Sequence, residues 1–335
     1  MSGSIEPKVT VITPVYNGET YLVECIESVL AQTYTNYEYI IVNNHSTDRT
    51  LEIAESYAQK DSRVRVYSND TLLDVIASHN RAFRLMSAES KYCKVVSADD
   101  WILPECLARE VAVAEANPSV GLVGCYQLSG SGKDWRNWQV KWGQIPYPST
   151  VVSGREISKI HYLGGPHVFG NPTSLQYRAD LVRTQDRFYP NSTAEADTSA
   201  CCRVLQDHDY GFVHQVLSYE RVHNVRVTAQ SQNVNAYLSS DISDLLEYGG
   251  KSLTQEERDR RLQELLDEYY EFLATSALKL RERSFWTYHR RRLGELGLPF
   301  SNLRLARAIS MTLLDLVLNP KHTFEMFSKP GQRNR

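Results

Sequence analysis

The stretch Tyr92–Trp101, YCKVVSADDW, decides the fold of this 335-residue chain. An apolar run that is typical of a buried strand ends there in two adjacent acids, Asp99 and Asp100. Two like charges side by side cost free energy unless water or a cation compensates them. The acid pair therefore needs either solvent or a bound cation to take up its charge.

On both sides of that stretch, residues 8–128 alternate short apolar runs with helical patterns. Five runs are predicted to be strands: VTVIT, YEYIIV, VRVYS, YCKVVSA and GLVGCYQL. They are apolar throughout, as expected of parallel strands that are covered on both faces. The helices predicted between them cover roughly residues 22–30, 51–58, 73–86 and 104–117, and Ser46 or Thr47 is expected to cap the second. This order predicts an α/β fold with a doubly wound, mostly parallel sheet.

Polar clusters follow three of the predicted strands, namely TPVYNGE, NNHSTD and SADD. Ligands of such sheets bind beyond the carboxyl ends of the strands, so we expect the three clusters to meet at one edge. Taken singly, Asn17-Gly18 is typical of a turn, and NNHSTD is typical of a capped helix start. Their coincidence at three strand ends favours a binding site.

The composition limits the classes of function. With 42% hydrophobic residues, 23% charged residues and a net charge of -3, the chain is typical of a soluble globular protein, and no nucleic-acid partner is expected. The amino terminus lacks a signal-peptide pattern, and no apolar run approaches the ~20 residues of a membrane span. We therefore expect a cytoplasmic location. The six cysteines show no CxxC spacing, which argues against structural zinc and a disulfide framework.

The second half of the chain has a different organisation. Residues 129–153 are rich in Gly, Pro and Trp, which predicts either a mobile lid or a loop packed on the domain. A turn, a strand and a short helix are predicted over residues 164–182, followed by a loop with acids, a helix and a strand that ends in Arg221-Val222-His223. Charged helices begin near residue 254. We predict three parts: a nucleotide-binding half at 8–128 and an acceptor half at 129–225 within one domain of residues 1–225, and a carboxyl-terminal helical extension at 226–335.

These motifs, in this order, resemble inverting family-2 glycosyltransferases of the GT-A fold. The resemblance is carried by VTVITPVYNGETYL, SVLAQTY, YEYIIVNNHSTDRT and SADDW, and AEAD and ERVH extend it over roughly residues 8–225. It implies a nucleotide-diphospho-sugar transferase that moves a sugar, first of all from a UDP-sugar, to a hydroxyl of a saccharide or lipid-linked acceptor. Surface polysaccharide or glycoconjugate biosynthesis is the expected context.

The resemblance also implies a divalent cation, Mn²⁺ or Mg²⁺, that stabilises the departing diphosphate through carboxylate ligands. In this chain it implies that Asp100 holds the metal, that His223 is a further ligand, and that Asp99 binds the ribose. Ser97 stands where many relatives carry another Asp. Arg221 is expected near the diphosphate, and a purely structural role is the alternative for His223.

The nucleoside is expected to lie among five residues that the resemblance assigns, with Tyr16 stacking on the base: Thr13, Pro14, Tyr16, Asn17 and Glu19. Most relatives have two Asp where this chain has Asn43 and Asn44. The Asn44 carbonyl can still accept the imide proton of uracil, so a uridine nucleotide is expected, with cytidine, thymidine and guanosine nucleotides left open. Arg81 falls near the position of a basic residue that faces the donor, and a solvated helix face is its alternative.

The general base of the resemblance corresponds to Asp197, six residues before Arg203. Glu195 is the alternative base, and both acids are also suited to capping the helix that follows. The Asn43-Asn44 and Ser97 departures keep a second function open, a non-catalytic nucleotide-sugar-binding homologue or scaffold. A dehydrogenase is not expected, because GxGxxG is missing after the first strand.

The last third of the chain contains two basic amphipathic segments, KLRERSFWTYHRRRLGELG and NLRLARAISMTLLDLVL. Helices of this kind can lie on an anionic membrane surface and bring the enzyme to lipid-linked acceptors. They can equally pack on the catalytic domain and mediate a homodimer. The sequence therefore predicts either peripheral contact with the inner face of the plasma membrane or self-association.

Overall fold

A computed structural model describes residues 6–131, 137–141, 145–190, 195–222 and 235–319. The chain forms two compact units, one of Met1–Asn191 with Ala196–Asn224 and the other of Ser192–Glu195 with Val225–Arg335. The proposed metal ligand His223 and parts of the Gly-, Pro- and Trp-rich segment lie outside the described residues.

The first unit is built on one sheet. Its strands are β1 (Val9–Val15), β2 (Tyr37–Asn43), β3 (Val64–Ser68), β4 (Tyr92–Val95), β5 (Trp101–Ile102), β6 (Val120–Gly130), β7 (Gln139–Lys141), β8 (Val151–Val152), β9 (Leu175–Arg178) and β10 (Asp209–Arg221). Their order is β3-β2-β1-β4-β9-β6-β10-β5, with β7 on β6 and β8 on β10. All five predicted strands are present.

The sheet is mostly parallel, as predicted. Strand β1 pairs in parallel with β2 and β4, β2 with β3, and β10 with β6. The exception in the middle is β9, which is antiparallel to both β4 and β6. Because β1, β2 and β4 are almost wholly buried, their apolar residues are covered on both faces, which explains the continuous apolar runs.

Helices cover the sheet. They are α1 (Leu22–Leu30), α2 (Thr50–Ala58), α3 (Val75–Phe83), α4 (Cys106–Ala116), α5 (Gly154–Tyr162), α6 (Ala179–Arg183) and α7 (Ala196–Val204). The predicted cap of α2 was wrong: the helix begins at Thr50, and neither Ser46 nor Thr47 caps it. Helix α3 begins with a regular cap, since Asp74 accepts a hydrogen bond from the Ala77 backbone N–H at 2.9 Å.

A buried ion pair joins β4 to α4. Lys94 Nζ lies 2.7 Å from Glu110 Oε1, and neither side chain is exposed to solvent. Cys106 and Cys125 contribute thiols to the same cluster, in which the potential ligand atoms of Cys106, Glu110 and Cys125 lie within 4.8 Å of one another. Burial raises the pKa of Glu110, and the ammonium of Lys94 counteracts that rise.

The second unit is helical where it is described, with α8 (Ala236–Tyr248), α9 (Gln255–Leu278), α10 (Arg283–Glu295) and α11 (Asn302–Leu318). A capping box starts α9: Glu257 N donates to Thr254 Oγ1 at 3.2 Å, and Thr254 N donates to Glu257 Oε2 at 3.0 Å. Helix α9 packs against α8 and α11, and its buried side chains include Leu265, Leu266, Tyr269 and Leu273. Within the described part of the chain, no helix has the length and apolar character that crossing a membrane requires.

Candidate active site

The loops after β1 and β2 are joined by reciprocal hydrogen bonds. The backbone N–H of Asn17 donates to Ser46 Oγ at 3.0 Å, and the backbone N–H of Thr47 donates to Asn17 Oδ1 at 2.8 Å. Asn17 adopts a left-handed backbone conformation, with φ at 48°. Asparagine tolerates this conformation better than most residues, which suits Asn17 to the turn.

A second pair of bonds fixes the same two loops. Glu19 N donates to Asp48 Oδ2 at 3.0 Å, and Arg49 N donates to Glu19 Oε2 at 3.0 Å. Gly18 N donates to Thr50 Oγ1 at 2.8 Å. The side chains of Asn17 and Glu19, predicted to lie around the nucleoside, therefore hold the neighbouring loop in place.

The loop after β1 also approaches the acid pair. A Cβ atom added to Gly18 would lie 3.7 Å from the Cβ of Ala98, the residue before Asp99. On α1, the thiol of Cys25 lies 3.4 Å from the Ser97 carbonyl. The three polar clusters thus meet at one edge of the sheet, as their positions after the strands predict.

Two of the residues assigned to the nucleoside differ sharply in exposure. Thr13 is completely buried, and its hydroxyl donates to the Val96 carbonyl at 2.8 Å and lies 3.0 Å from the Tyr39 hydroxyl. The Thr13 side chain consequently belongs to the core and does not face a ligand, which corrects that assignment. Tyr16 is 49% exposed and Pro14 is half-buried, so stacking of Tyr16 on a base stays a prediction.

Asn44 uses its amide inside the protein. Asn44 Nδ2 donates to the Leu73 carbonyl at 2.9 Å, while Asn44 Oδ1 accepts from Leu73 N at 3.0 Å and from Asn69 Nδ2 at 2.7 Å. Since a backbone N–H can only donate, these bonds fix the orientation of the amide. Asn44 is 5% exposed, and its carbonyl already carries two hydrogen bonds. It holds the segment between β3 and α3 in place.

Arg81 reaches the same edge from α3. Its Nη2 donates to the carbonyl of Ser68, the last residue of β3, at 3.2 Å. The side chain is half-buried, and both a contact with the donor and a solvated helix face stay open for it. Its Nε is buried and has no hydrogen-bond partner among the described residues.

The acid pair is held by two segments that are distant in sequence. Thr173 Oγ1, just before β9, donates to Asp100 Oδ2 at 2.7 Å, and the backbone N–H of Arg221, at the end of β10, donates to Asp100 Oδ1 at 3.0 Å. The Arg221 side chain donates through Nε to the Asp99 carbonyl at 3.1 Å. We refer to Asp99 and Asp100 with these contacts as the acid turn.

Ionisation of the buried Asp100 carboxyl is unfavourable in the acid turn. Burial and the neighbouring Asp99 raise the pKa of Asp100 to about 8, and the two hydrogen bonds from Thr173 and Arg221 counteract the rise only in part. Both of these donors to Asp100 are neutral groups. Carboxylate oxygens are the ligands that Mn²⁺ and Mg²⁺ prefer, and a cation here would compensate the buried charge, so the residues fit a divalent metal.

Asp197 lies in the first turn of α7 and is half-buried. Burial raises the pKa of its carboxyl, against the lowering effect of backbone N–H groups at the start of the helix. Among the described residues, no hydrogen bond joins Asp197 to the acid turn. Glu195, two residues earlier, is also half-buried, so the choice between the two as general base stays a prediction.

The segment before Asp197 is anchored to α3. Asn80 Nδ2 donates to the Tyr189 carbonyl at 2.6 Å, and Tyr189 N donates to Asn80 Oδ1 at 2.9 Å. This pairing attaches the acceptor half of the first unit to the nucleotide-binding half. Sequence reasoning gave Asn80 no such role.

Comparisons with known proteins identify the family of this chain. Residues 10–182 match the model of the family described as Glycosyl transferase family 2. The glycosyltransferase GlyA of Streptococcus pneumoniae is 36% identical over 120 residues, which cover 35% of this chain and 17% of GlyA. The uncharacterized glycosyltransferase MJ1057 of Methanocaldococcus jannaschii is 30% identical over 198 residues, which cover 54% of this chain and 62% of MJ1057. The chain spans less than two thirds of the length of these relatives.

Solved structures share the fold. A crystal structure of S. aureus TarS 1–349 in complex with UDP-GlcNAc has a TM-score of 0.64 and 20% identity, covering 90% of this chain and 87% of that chain. The mannosyltransferase PcManGT from Pyrobaculum calidifontis, in complex with GDP-Man and Mn²⁺, has a TM-score of 0.52 and 15% identity, covering 93% and 88%. The predicted fold class is thereby confirmed.

Proposed function

Because the chain belongs to glycosyl transferase family 2, we propose that it is a metal-dependent inverting glycosyltransferase. It moves a sugar from a nucleotide-diphosphate sugar, first of all a UDP-sugar, to a hydroxyl of a saccharide or lipid-linked acceptor. Surface polysaccharide or glycoconjugate biosynthesis is the proposed context. The observation that carries the proposal is the acid turn, whose two adjacent carboxyl groups lie at the edge where the loops after β1 and β2 meet.

Asp100 would hold Mn²⁺ or Mg²⁺, His223 is proposed as a further ligand, and Asp99 would bind the ribose. When bound, such a cation supplies positive charge to the diphosphate that departs from the sugar. The hydrogen bonds from Thr173 and Arg221 keep the Asp100 carboxylate in a fixed orientation. The cation in the PcManGT structure and the nucleotide sugars in both neighbours support this assignment.

Asp197 is the proposed general base, with Glu195 as the alternative. The carboxylate takes the proton of the acceptor hydroxyl as that oxygen attacks the anomeric carbon and the bond to the diphosphate breaks on the opposite side. The partly buried position of Asp197 supports this role, because a raised pKa makes a carboxylate a better proton acceptor near neutral pH.

The donor is tested by thermal shift of the full chain with UDP-, CDP-, GDP- and dTDP-sugars, each with Mn²⁺ and with EDTA. A bound donor stabilises the fold by mass action, by about 2.7 kcal/mol at a hundred times its Kd. We expect the largest Mn²⁺-dependent shift with a UDP-sugar. A chain that responds to none of these donors would not support the proposed function.

The general base is tested by Asp197→Asn, with Glu195→Gln as the matched variant. Asp197→Asn should leave Mn²⁺-dependent donor binding unchanged and lower transfer by about 100-fold or more, because only the proton acceptor is lost. The measurements are donor affinity by calorimetry and transfer to a saccharide acceptor. Retained transfer in Asp197→Asn, with loss in Glu195→Gln, would move the role to Glu195.

A non-catalytic nucleotide-sugar-binding homologue or scaffold is the second candidate. The departures at Asn43, Asn44 and Ser97 from the acids of the family pattern favour it. An assay of donor hydrolysis separates the two functions, because a catalytic site turns over its donor slowly with water as acceptor. If the unmodified chain hydrolyses the donor faster than Asp100→Asn does, the result favours the enzyme.

The site of action is also proposed. A cytoplasmic protein with peripheral contact to the inner face of the plasma membrane, or a homodimer, would use α11, which exposes large apolar side chains: Leu303, Met311, Leu313, Leu314, Val317 and Leu318. Flotation with anionic vesicles and sedimentation in solution distinguish the two arrangements.

A further inference from the structure

We propose that Arg221 is a positioning residue for the acid turn, and that Glu24 on α1 keeps Arg221 in place. The inference rests on the proposed function, because it concerns how Asp99 and Asp100 are held ready for a divalent cation. It assigns Arg221 a different task from the contact with the diphosphate that the family resemblance implies.

Arg221 binds both acids, but in different ways. Its backbone N–H donates to Asp100 Oδ1 at 3.0 Å, and its side-chain Nε donates to the backbone carbonyl of Asp99 at 3.1 Å. One residue therefore fixes a carboxylate oxygen of one acid and the main chain of the other. Any movement of the Arg221 side chain acts on the turn that carries both carboxylates.

The guanidinium is itself held on its other sides. Its Nη2 forms an ion pair with Glu24 on α1, and the group lies over the rings of Tyr21 and Trp101, with Cζ at 4.3 and 5.0 Å from their centroids. The planar guanidinium is suited to combined stacking and forked hydrogen bonding. The side chain is only 16% exposed, so it is held by contacts on several sides.

These contacts join three elements at the Arg221 guanidinium: α1, the acid turn and the end of β10. Two nitrogens of the guanidinium donate to protein atoms. Nε donates to the Asp99 carbonyl, and Nη2 donates to the Glu24 carboxylate. Groups that orient a metal ligand from outside the coordination shell change metal affinity by about 10–100-fold when they are lost. We therefore expect the ion pair with Glu24 to influence cation binding, although Glu24 reaches the acid turn only through Arg221.

Glu24 separates the positioning role from direct contact with the diphosphate. Were Arg221 to bind the diphosphate, loss of Glu24 would release the guanidinium and leave nucleotide binding equal or stronger. With Arg221 as a positioning residue, loss of Glu24 loosens the acid turn and weakens the binding of the cation. Glu24→Gln is a mild change, because the side chain is 60% exposed.

The experiment measures Mn²⁺ binding to the full chain in the presence of UDP, by electron paramagnetic resonance of free Mn²⁺. Glu24→Gln should weaken Mn²⁺ binding about tenfold, and Arg221→Lys about 10–100-fold, because lysine keeps the charge but lacks the planar fork. The matched control is Glu27→Gln, one turn later on α1, whose carboxylate accepts from the Tyr57 hydroxyl at 2.9 Å. It should bind Mn²⁺ like the unmodified chain, and the melting temperatures show that the variants are folded.

The outcomes are distinguishable. If the unmodified chain binds no Mn²⁺ with UDP, the metal-dependent function fails, whatever Arg221 does. If it binds Mn²⁺ and Glu24→Gln or Arg221→Lys binds equally well, the positioning role is overturned. The role is also overturned if Glu24→Gln weakens UDP binding in EDTA as much as it weakens Mn²⁺ binding.

Discussion

Two buried acids in the first unit differ in the groups that surround their carboxyls. Glu110 on α4 has the ammonium of Lys94 at 2.7 Å, in a pair with no exposure to solvent. Asp100 is 4% exposed, accepts hydrogen bonds from a hydroxyl and a backbone N–H, and has another acid, Asp99, beside it. Lys94 lies within β4 and Asp99 follows it by five residues, so both arrangements involve this strand or the turn after it.

The difference separates a structural charge from a functional one. A buried pair that neutralises itself is complete within the fold, and breaking it leaves an isolated charge. Burial and a neighbouring like charge raise the pKa of an acid, and any cation that binds stabilises its ionised form. We therefore expect the Lys94–Glu110 pair to govern stability and the acid turn to govern ligand binding.

Loss of the Lys94 ammonium should have a large effect on the stability of the fold. Lys94→Met should lower the free energy of unfolding by about 3–5 kcal/mol, because Glu110 loses its buried partner. Urea unfolding measures the change. Lys94→Met with Glu110→Leu should recover much of the stability, whereas a single variant as stable as the unmodified chain would show that the pair carries no structural charge.

Loss of the Asp100 carboxylate should have a smaller effect, on ligand binding and not on stability. Asp100→Asn should weaken Mn²⁺-dependent binding of a UDP-sugar by at least about 100-fold, since it removes a proposed ligand and not only an outer contact. The melting temperature without metal should stay nearly the same, because asparagine is uncharged, as Asp100 is below its raised pKa of about 8. Calorimetry with and without EDTA makes the measurement, and unchanged metal-dependent binding would remove Asp100 from the site.

The pH dependence of stability gives a third effect, which is the smallest of the three when it is counted per pH unit. Between the ordinary pKa of 3.8 and about 8, folded Asp100 holds a proton that the unfolded chain has lost. Without metal, the stability should thus fall as pH rises through this window, by at most about 1.4 kcal/mol per unit from this group. Urea unfolding in EDTA at pH 5, 6, 7 and 8 tests this slope.

Two controls belong to the pH measurement. Asp100→Asn should remove most of the slope, and saturating Mn²⁺ should reduce it, since a metal binds the deprotonated carboxylate. A slope that is the same in Asp100→Asn would assign the titration to other groups, Glu110 among them, whose pKa is also raised by burial.

The sequence predicts the elements of the nucleotide-binding half well, because local patterns determine them. Continuous apolar runs specify strands that are covered on both faces, and the end of each strand locates its polar cluster. The cap of α2 was predicted wrongly because Ser46 and Asp48 bind the loop after β1, a contact between segments about 30 residues apart. Helix α5 was not predicted, and α8 was predicted only as part of the helical extension at 226–335.

The contacts that fix the acid turn were not predictable from spacing. Thr173 precedes a strand that runs antiparallel to β4, and no local pattern connects it to Asp100. Glu110, by contrast, gave a usable signal: it shares the buried face of α4 with Cys106, Leu107, Val111 and Ala114. A charged residue on such a face requires a buried partner, and Lys94 within a buried strand was the available cation.

Strand β10 has a consequence for the order of events during synthesis. The groups that donate hydrogen bonds to Asp100 follow it in the chain by 73 and 121 residues. A ribosome makes β1 to β4 long before it makes either donor, so the nascent acids have only water to solvate them. The proposed cation site is therefore complete only after residue 221 has left the exit tunnel and β10 has paired with β6.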